Sequence, residues 1–134
     1  MAANTLVDSG YLVALLNRRD RHHQWAASQA GQHVPPWQTC EAVLSETFHL
    51  IGPMNGGLLA ELLRRQTVIP SFRFDQDQGP VLALMAKYAQ VPMSFADACL
   101  VRMSETCADP ILLTTDGDFS IYRRHSRQAI PRRQ

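Results

Sequence analysis

Two aspartates directly follow short apolar stretches near opposite ends of the chain, a position that suits either a turn or a metal site. Asp8 follows the apolar pair at positions 6 and 7, and Asp116 follows the run at 111–115 in ILLTTDGDF. For Asp8, a helix N-cap and a functional carboxylate are equally compatible with the sequence. Asp118 precedes a predicted helical turn and is the better N-cap, with a water-mediated ligand role as an alternative. Asp116 lies closer to the strand end and is the candidate for a pocket.

Three further acids lie on predicted helices. Asp97 completes the capping box Ser94-x-x-Asp97 and lies at the positive end of the helix dipole, so cap and ligand roles are compatible. Glu41 and Glu46 share one predicted helix but point about 140° apart, so both cannot face one pocket. The dipole explains an acid in the first turn, at Glu41, but not one in mid-helix, at Glu46. This asymmetry favours Glu46, with an exposed helix face as its alternative explanation.

Motifs for other common chemistries are absent from the sequence. It contains no phosphate-binding loop, no dinucleotide-binding glycine motif and no G-x-S-x-G. The stretch DQDQG at 75–79 resembles the start of a calcium loop, but its glycine comes one residue early and position twelve is Ala86. The histidines are scattered, so a triad of nucleophile, histidine and acid has little support.

Four carboxylates from separate parts of the chain remain, and together they suit a divalent cation. Carboxylates in one pocket repel each other and raise their own pKa values, a cost that a cation removes. Hard oxygen ligands select Mg²⁺ or Mn²⁺ over zinc. Such an ion activates water and neutralises charge on a phosphate, so hydrolysis of a phosphodiester is the expected reaction.

Alternating strands and helices predict an α/β domain with a parallel sheet over residues 1–134. Ligands bind at the carboxyl ends of the strands in such sheets, so Asp8 and Asp116 would meet at one edge if their strands are neighbours. Asp20 and Thr39 are predicted N-caps, and Gly52-Pro53 is predicted to end a helix. Predicted strands cover 5–7, 67–69, 111–115 and 128–130, residues 34–37 are extended, and predicted helices cover 10–17, 22–30, 40–51, 58–65, 75–89 and 94–107.

Composition indicates a soluble, cytoplasmic protein whose 134 residues can bury a core without disulfides. No apolar run approaches the roughly 18 residues of a membrane span, and no positively charged segment precedes Asp8 as in a signal peptide. The three cysteines lack metal-binding spacing and are interpreted as small buried hydrophobes. The net charge is +1, and every basic residue except Lys87 and the histidines is an arginine. Clustered arginines suit either a solvated surface or phosphate contacts around an acidic pocket.

Four stretches, taken in order, resemble PIN-domain nucleases, close to the VapC-type toxins of bacterial toxin–antitoxin modules. They are LVDSGYLVALLNRRDRHHQWA, TCEAVLSETFHL, SFADACLV and ILLTTDGDFSIY, and they extend to about Tyr122. The resemblance implies a three-layer α/β/α domain with a small, mainly parallel twisted sheet flanked by helices. It implies an endoribonuclease that uses one or two Mg²⁺ or Mn²⁺ ions on single-stranded RNA. It also implies homodimers and, for a type II toxin, an antitoxin whose tail blocks the pocket.

The resemblance also assigns the acids. The family's first aspartate falls on Asp8, its helix glutamate on Glu46, its third acid on Asp97 and its fourth on Asp116. On this basis Asp8, Asp97 and Asp116 are expected to hold metal, directly or through water. Glu46 is expected to complete the metal shell or to orient the attacking water.

Other positions are expected to support this site. Ser9 and Thr114 fall on the family's hydroxyl positions, and Asp118 on a less constant acid. Arg18 and Arg19 are expected near the pocket mouth, where they would contact phosphates of the substrate. The alternatives are a binding module without catalysis, and a PIN nuclease that acts on DNA or in RNA processing.

Overall fold

The computed structural model describes residues 4–134 and is built around a five-stranded sheet in which every pair of neighbouring strands is parallel. Its spatial order is β3-β2-β1-β4-β7. A separate two-stranded antiparallel hairpin joins β5 and β6. The strands are β1 (Thr5–Val7), β2 (Trp37–Thr39), β3 (Val68–Pro70), β4 (Ile111–Leu113), β5 (Arg123–Arg124), β6 (Gln128–Ala129) and β7 (Arg132–Arg133).

Helices cover both faces of the sheet. The chain moves outward from β1 to β3 and then returns to β4, and right-handed crossovers therefore place the outgoing and returning helices on opposite faces. This arrangement confirms the predicted three-layer α/β/α fold with a small parallel sheet. The helices are α1 (Ser9–Leu16), α2 (His23–Ala30), α3 (Glu41–Arg64), α4 (Gln78–Lys87) and α5 (Phe95–Thr106), with 3-10 turns at Phe74–Gln76 and Gly117–Ser120.

The central strands are buried because helices cover them on both sides. All three residues of β1 are buried, and Leu112 and Leu113 of β4 are almost fully inaccessible. Strands of this kind are recognised as continuous apolar runs, because neither face is exposed to water. The two strands pair in register, with Val7 opposite Leu113, so their carboxyl ends lie side by side. Among residues 4–134, no helix is long and apolar enough to cross the hydrocarbon core of a membrane.

The prediction for residues 34–51 missed a strand. Residues Trp37–Thr39 form β2, which lies between β1 and β3, rather than the end of an extended loop. Thr39 does not cap the next helix, because its hydroxyl donates to the carbonyl oxygen of Val7 at 2.8 Å. Cys40 occupies the N-cap position instead and makes no side-chain cap hydrogen bond. A three-residue strand is too short to show a sequence period, which explains the error.

The helical conformation stops at Gly52, where the sequence predicted the end of a helix, because Gly52 has φ of 72° and ψ of 176°. A second helical half follows this break and runs to Arg64, and both halves carry the label α3. The second half begins before the predicted start at residue 58. Proline suits the first turn of a helix because the missing N–H has no partner there, so Pro53 can begin the second half.

Several predicted boundaries shift. The last predicted strand, 128–130, is the second strand of the hairpin, and the sheet gains its fifth strand from Arg132–Arg133. Asp20 accepts a hydrogen bond from the backbone N–H of His22 at 2.8 Å, but α2 begins one residue later than expected. The predicted helix 75–89 begins at Gln78 and ends at Lys87, and β4 ends at Leu113.

The break at Gly52 generates a paired stability prediction. Gly52→Ala should lower the free energy of unfolding by about 1–3 kcal/mol, because only glycine adopts these dihedral angles without strain. A Cβ at Gly52 or at Gly57 would meet nothing within 4 Å, so packing does not confound either change. Gly57 lies within the helix, and Gly57→Ala should raise stability by about 0.5–1 kcal/mol. Urea denaturation would show opposite shifts, and shifts of the same sign would contradict the role of the break.

Candidate metal centre

Acids from four separate elements line one cavity of about 450 Å³ at the carboxyl ends of the central strands. Asp8 follows β1, Glu46 lies in α3, Asp97 lies in the first turn of α5, and Asp116 follows β4. The strands β1 and β4 are neighbours, which brings Asp8 and Asp116 to the same edge of the sheet. The structure therefore gathers all four of the acids that the sequence singled out.

Asp8 is the most enclosed of these acids, with 4% of its surface exposed. Its Oδ1 accepts a hydrogen bond from the backbone N–H of Ser9 at 2.7 Å, so Asp8 also caps α1. Its Oδ2 accepts one from the Thr114 hydroxyl at 2.8 Å. Burial raises the pKa of Asp8 to about 7, and the negative charges of Asp97 and Asp116 add to this effect, whereas the two hydrogen bonds oppose it.

Asp97 is held by one hydrogen bond to its backbone and one to its carboxylate. The Ser94 hydroxyl accepts from the Asp97 backbone N–H at 3.0 Å, as the predicted capping box requires. The hydroxyl of Tyr122, which is fully buried, donates to Asp97 Oδ2 at 2.9 Å. Burial raises the pKa of Asp97, the Tyr122 bond opposes this rise, and the charge of Asp116 adds to it. The sequence analysis missed Tyr122, because no local pattern links it to a carboxylate 25 residues earlier.

Asp116 lines the cavity, as the sequence suggested, and it also takes the capping role that the sequence suggested for Asp118. Asp116 is the N-cap of the 3-10 turn, and its Oδ1 accepts from the backbone N–H of Asp118 at 2.9 Å. Asp118 lies inside the turn, and the structure does not place it on the cavity wall. Asp116 also donates its own N–H to the Thr114 hydroxyl at 2.9 Å, so Thr114 connects Asp116 to Asp8.

Among the other positions near the cavity, Glu46 lies as expected and Asp20 does not. Glu46 is exposed and lines the cavity, whereas Glu41, on the same helix, is not among the cavity-lining residues within the described chain. Asp20 was interpreted only as a cap, yet it also contributes to the cavity wall. Ser9 lies beside Asp8, with its hydroxyl 3.5 Å from Asp8 Oδ1. At Gly10 a Cβ would collide with the Thr115 hydroxyl, so glycine permits the close approach of α1 to the end of β4.

Arg18 and Arg19 do not line the acidic cavity. They line a second cavity of about 590 Å³ together with Met54 and Leu58 of α3. Within residues 4–134, the five ion pairs use Glu61, Asp75, Asp77 and Glu105, and none uses an acid of the first cavity. No arginine within residues 4–134 therefore forms an ion pair with any of the four acids.

The donor set fits a hydrated hard cation better than a fully protein-ligated one. Among residues 4–134, no group of three His, Cys, Asp or Glu side chains forms a ready-made metal-binding set. Mg²⁺ commonly keeps several waters and binds through one or two carboxylates, so this spacing suits a partly hydrated ion. Burial, with a smaller contribution from the neighbouring acids, raises the pKa of Asp8, and a bound cation would favour the charged form of this carboxyl group.

Comparison with known proteins identifies the family. The PIN domain family model matches residues 5–124, so the chain belongs to the PIN domain family. The crystal structure of VapC20 from Mycobacterium tuberculosis, a sarcin-ricin loop cleaving toxin, has a similar fold. It superposes with a TM-score of 0.75 at 22% identity, over 92% of this chain and 98% of VapC20. No curated protein matches the sequence significantly.

The raised pKa of Asp8 predicts how stability depends on pH in metal-free protein. A carboxyl group whose pKa is raised by folding contributes stability below its unfolded value of 3.8, and that contribution is lost as pH rises through about 7. Asp8→Asn should therefore gain stability relative to the unchanged protein as pH rises from about 5 to about 8. Thermal denaturation in EDTA would measure this difference.

A matched control for this experiment is Asp75→Asn. Arg73 lowers the pKa of Asp75, an exposed carboxylate, by a hydrogen bond, so its contribution is already complete above its unfolded pKa. The effect of Asp75→Asn should therefore stay constant over the same pH range. If the stability of the two variants changed in parallel with pH, the burial of charge at Asp8 would not be the cause of the pH dependence.

The Tyr122–Asp97 hydrogen bond predicts a change in metal affinity. Tyr122→Phe should weaken Mn²⁺ binding by about 10- to 100-fold, as is typical when the hydrogen bond that orients a ligand is lost. Tyr88→Phe is the control, because the Tyr88 hydroxyl accepts from the backbone N–H of Arg123 and contacts no carboxylate. Calorimetric titration with Mn²⁺ would compare the two variants. Equal affinities would show that Tyr122 only fills space.

Proposed function

We propose that this PIN domain protein is a divalent-metal-dependent endoribonuclease that hydrolyses phosphodiester bonds of single-stranded RNA. The observation that carries the proposal is the meeting of Asp8, Glu46, Asp97 and Asp116 around one cavity without arginine partners within the described chain. Membership of the PIN family supports a nuclease. The likeness to VapC20, which cleaves the sarcin-ricin loop, supports an RNA substrate and a role as the toxin of a type II toxin–antitoxin module.

The four acids have different proposed roles, which follow from their environments. Asp8, Asp97 and Asp116 would hold Mg²⁺ or Mn²⁺, because they are the acids that affect each other electrostatically. When bound, the cation supplies charge neutralisation for the phosphate and lowers the pKa of a water. Glu46 reaches the cavity from α3 and is the only one of the four that is exposed, so it would orient the attacking water.

Hydrogen bonds would keep these carboxylates in place between turnovers. Thr114 donates a hydrogen bond to Asp8, and Tyr122 donates one to Asp97. Each of these hydrogen bonds uses only one of the two oxygens of the carboxylate. The Asp118 backbone N–H and the Ser9 hydroxyl would support Asp116 and Asp8 in the same way. The proposal also includes a homodimer, a cognate antitoxin and a cytoplasmic location, as expected for such toxins.

The proposed roles predict different effects of two changes on one helix. Glu46→Gln should lower metal-dependent cleavage by at least about 100-fold, whereas Glu41→Gln should leave it close to unchanged. Asp8→Asn should abolish cleavage and leave the protein folded, because an asparagine Oδ1 can still accept from Ser9. Cleavage of a labelled single-stranded RNA would be followed with Mn²⁺ and with EDTA.

The same panel tests the alternative functions. A binding module without catalysis would show no saturable Mn²⁺ binding by calorimetry and no cleavage. A DNA nuclease would cleave DNA of the same sequence at least as fast as RNA, since only RNA offers the 2′-hydroxyl for discrimination. Full activity of Asp8→Asn would refute the assignment of the site.

A further inference from the structure

Two cavities lie one after the other along the helices α1 and α3. The acidic cavity is lined by Ser9 and Val13 of α1, and the second cavity by Leu16, the last residue of α1, and by its C-cap, Asn17. Ser9, Val13 and Leu16 lie on one face of the helix, because they are spaced by four and three residues. The two cavities therefore lie along the same face of α1.

The opposite side follows the same pattern on α3. Glu46 and Leu50 line the acidic cavity, and Met54 and Leu58 line the second, at successive intervals of four residues. Gly52 interrupts α3 between these two pairs, so each pair lies on one face of its own half of the helix. We call the two cavities together the α1–α3 groove, bounded by Ser9, Val13, Leu16 and Asn17 on one side and by Glu46, Leu50, Met54 and Leu58 on the other.

Two arginines line the second cavity of the α1–α3 groove, and they directly precede Asp20, which lines the acidic cavity. Arg18 and Arg19 are exposed, line the second cavity, and make no ion pair with an acid within residues 4–134. Arg64 and Arg65, at the end of α3, both pair with Glu61. The guanidinium groups of Arg18 and Arg19 are therefore available for an anion, and their planar donors match phosphate oxygens.

The α3 side of the groove is apolar and exposed. Leu50, Met54 and Leu58 have 57%, 93% and 52% of their surface accessible. Apolar side chains of this kind can contact the faces of unstacked bases, while a basic side of the same groove follows the phosphates. A surface with arginines along one side and apolar side chains along the other thus matches a single strand of nucleic acid.

We propose that the α1–α3 groove is the binding track for single-stranded RNA, with Arg18 and Arg19 binding a phosphate other than the scissile one. This inference rests on the proposed function, because that function places the scissile phosphate at the acidic cavity. Bases beside the scissile phosphate contact Leu50, Met54 and Leu58. The RNA must then extend beyond the cleaved bond on that side for full affinity.

Salt dependence of RNA binding tests the arginines with a control of equal charge. Binding of a fluorescein-labelled, mixed-sequence RNA of about 12 nucleotides would be measured by anisotropy in EDTA, which prevents metal-dependent cleavage. Arg18→Gln with Arg19→Gln should reduce the slope of log affinity against log salt by about 1.4, since each phosphate contact on a single strand contributes about 0.7. Arg64→Gln with Arg65→Gln removes the same charge and should change the slope by less than half as much.

Methionine oxidation tests the apolar side without any substitution. Met54 is almost fully exposed, so peroxide should convert it readily to the sulfoxide. Bound RNA should slow this conversion several-fold, as measured by mass spectrometry of the peptide that contains Met54. The same protein without nucleic acid gives the reference rate of Met54 oxidation.

The outcomes separate this proposal from the proposed function. Equal salt slopes in the two double variants, with Met54 oxidised equally fast with and without RNA, would overturn the RNA track and assign the groove to a protein segment. If the protein nevertheless cleaves RNA with Mn²⁺, the nuclease assignment stands and only the track is wrong. If the protein without substitutions neither bound RNA nor cleaved it with Mn²⁺, the proposed function itself would be refuted.

Discussion

The burial of Asp8 beside Asp97 and Asp116 is the constraint on which the rest of the site depends. Burial and the neighbouring charges raise the pKa of Asp8 to about 7, so the fold holds a carboxylate where its charge is unfavourable. The groups that contact these acids are hydrogen-bond donors without net charge: backbone N–H groups, Thr114 and Tyr122. Such donors orient a carboxylate without cancelling its charge. The negative potential that remains is available to a cation.

The fold limits the cost of this arrangement by giving the acids a second, local task. Asp8 caps α1, Asp116 caps the 3-10 turn, and Asp97 lies in the first turn of α5. The partial positive charge of a helix N-terminus favours a carboxylate at each of these positions, although a single 3-10 turn contributes little of it. Capping a helix and binding a cation are thus complementary roles for the same carboxylate oxygens. For this reason an asparagine substitution, which keeps the cap, separates charge from structure more cleanly than an alanine substitution.

Much of the fold and most of the cavity acids followed from the sequence, because they depend on local signals. Apolar runs located β1 and β4, and Ser94-x-x-Asp97 located the start of α5. The missing parts depend on contacts between distant residues. Strand β2 is defined by pairing with its neighbours, and Tyr122 meets Asp97 only after the chain has crossed the sheet. The choice of Glu46 over Glu41 likewise came from family resemblance, since helical geometry left both open.

The separation of positive from negative charge explains why the arginines lie outside the acidic cavity. An arginine inside it would form an ion pair with a carboxylate and occupy the place of the cation. A nucleic acid, however, needs positive charge nearby to offset its repulsion by the acids. Arg18 and Arg19 follow α1 and line the neighbouring cavity. Because neither arginine forms an ion pair with an acid within residues 4–134, both can attract phosphate without occupying the place of the cation.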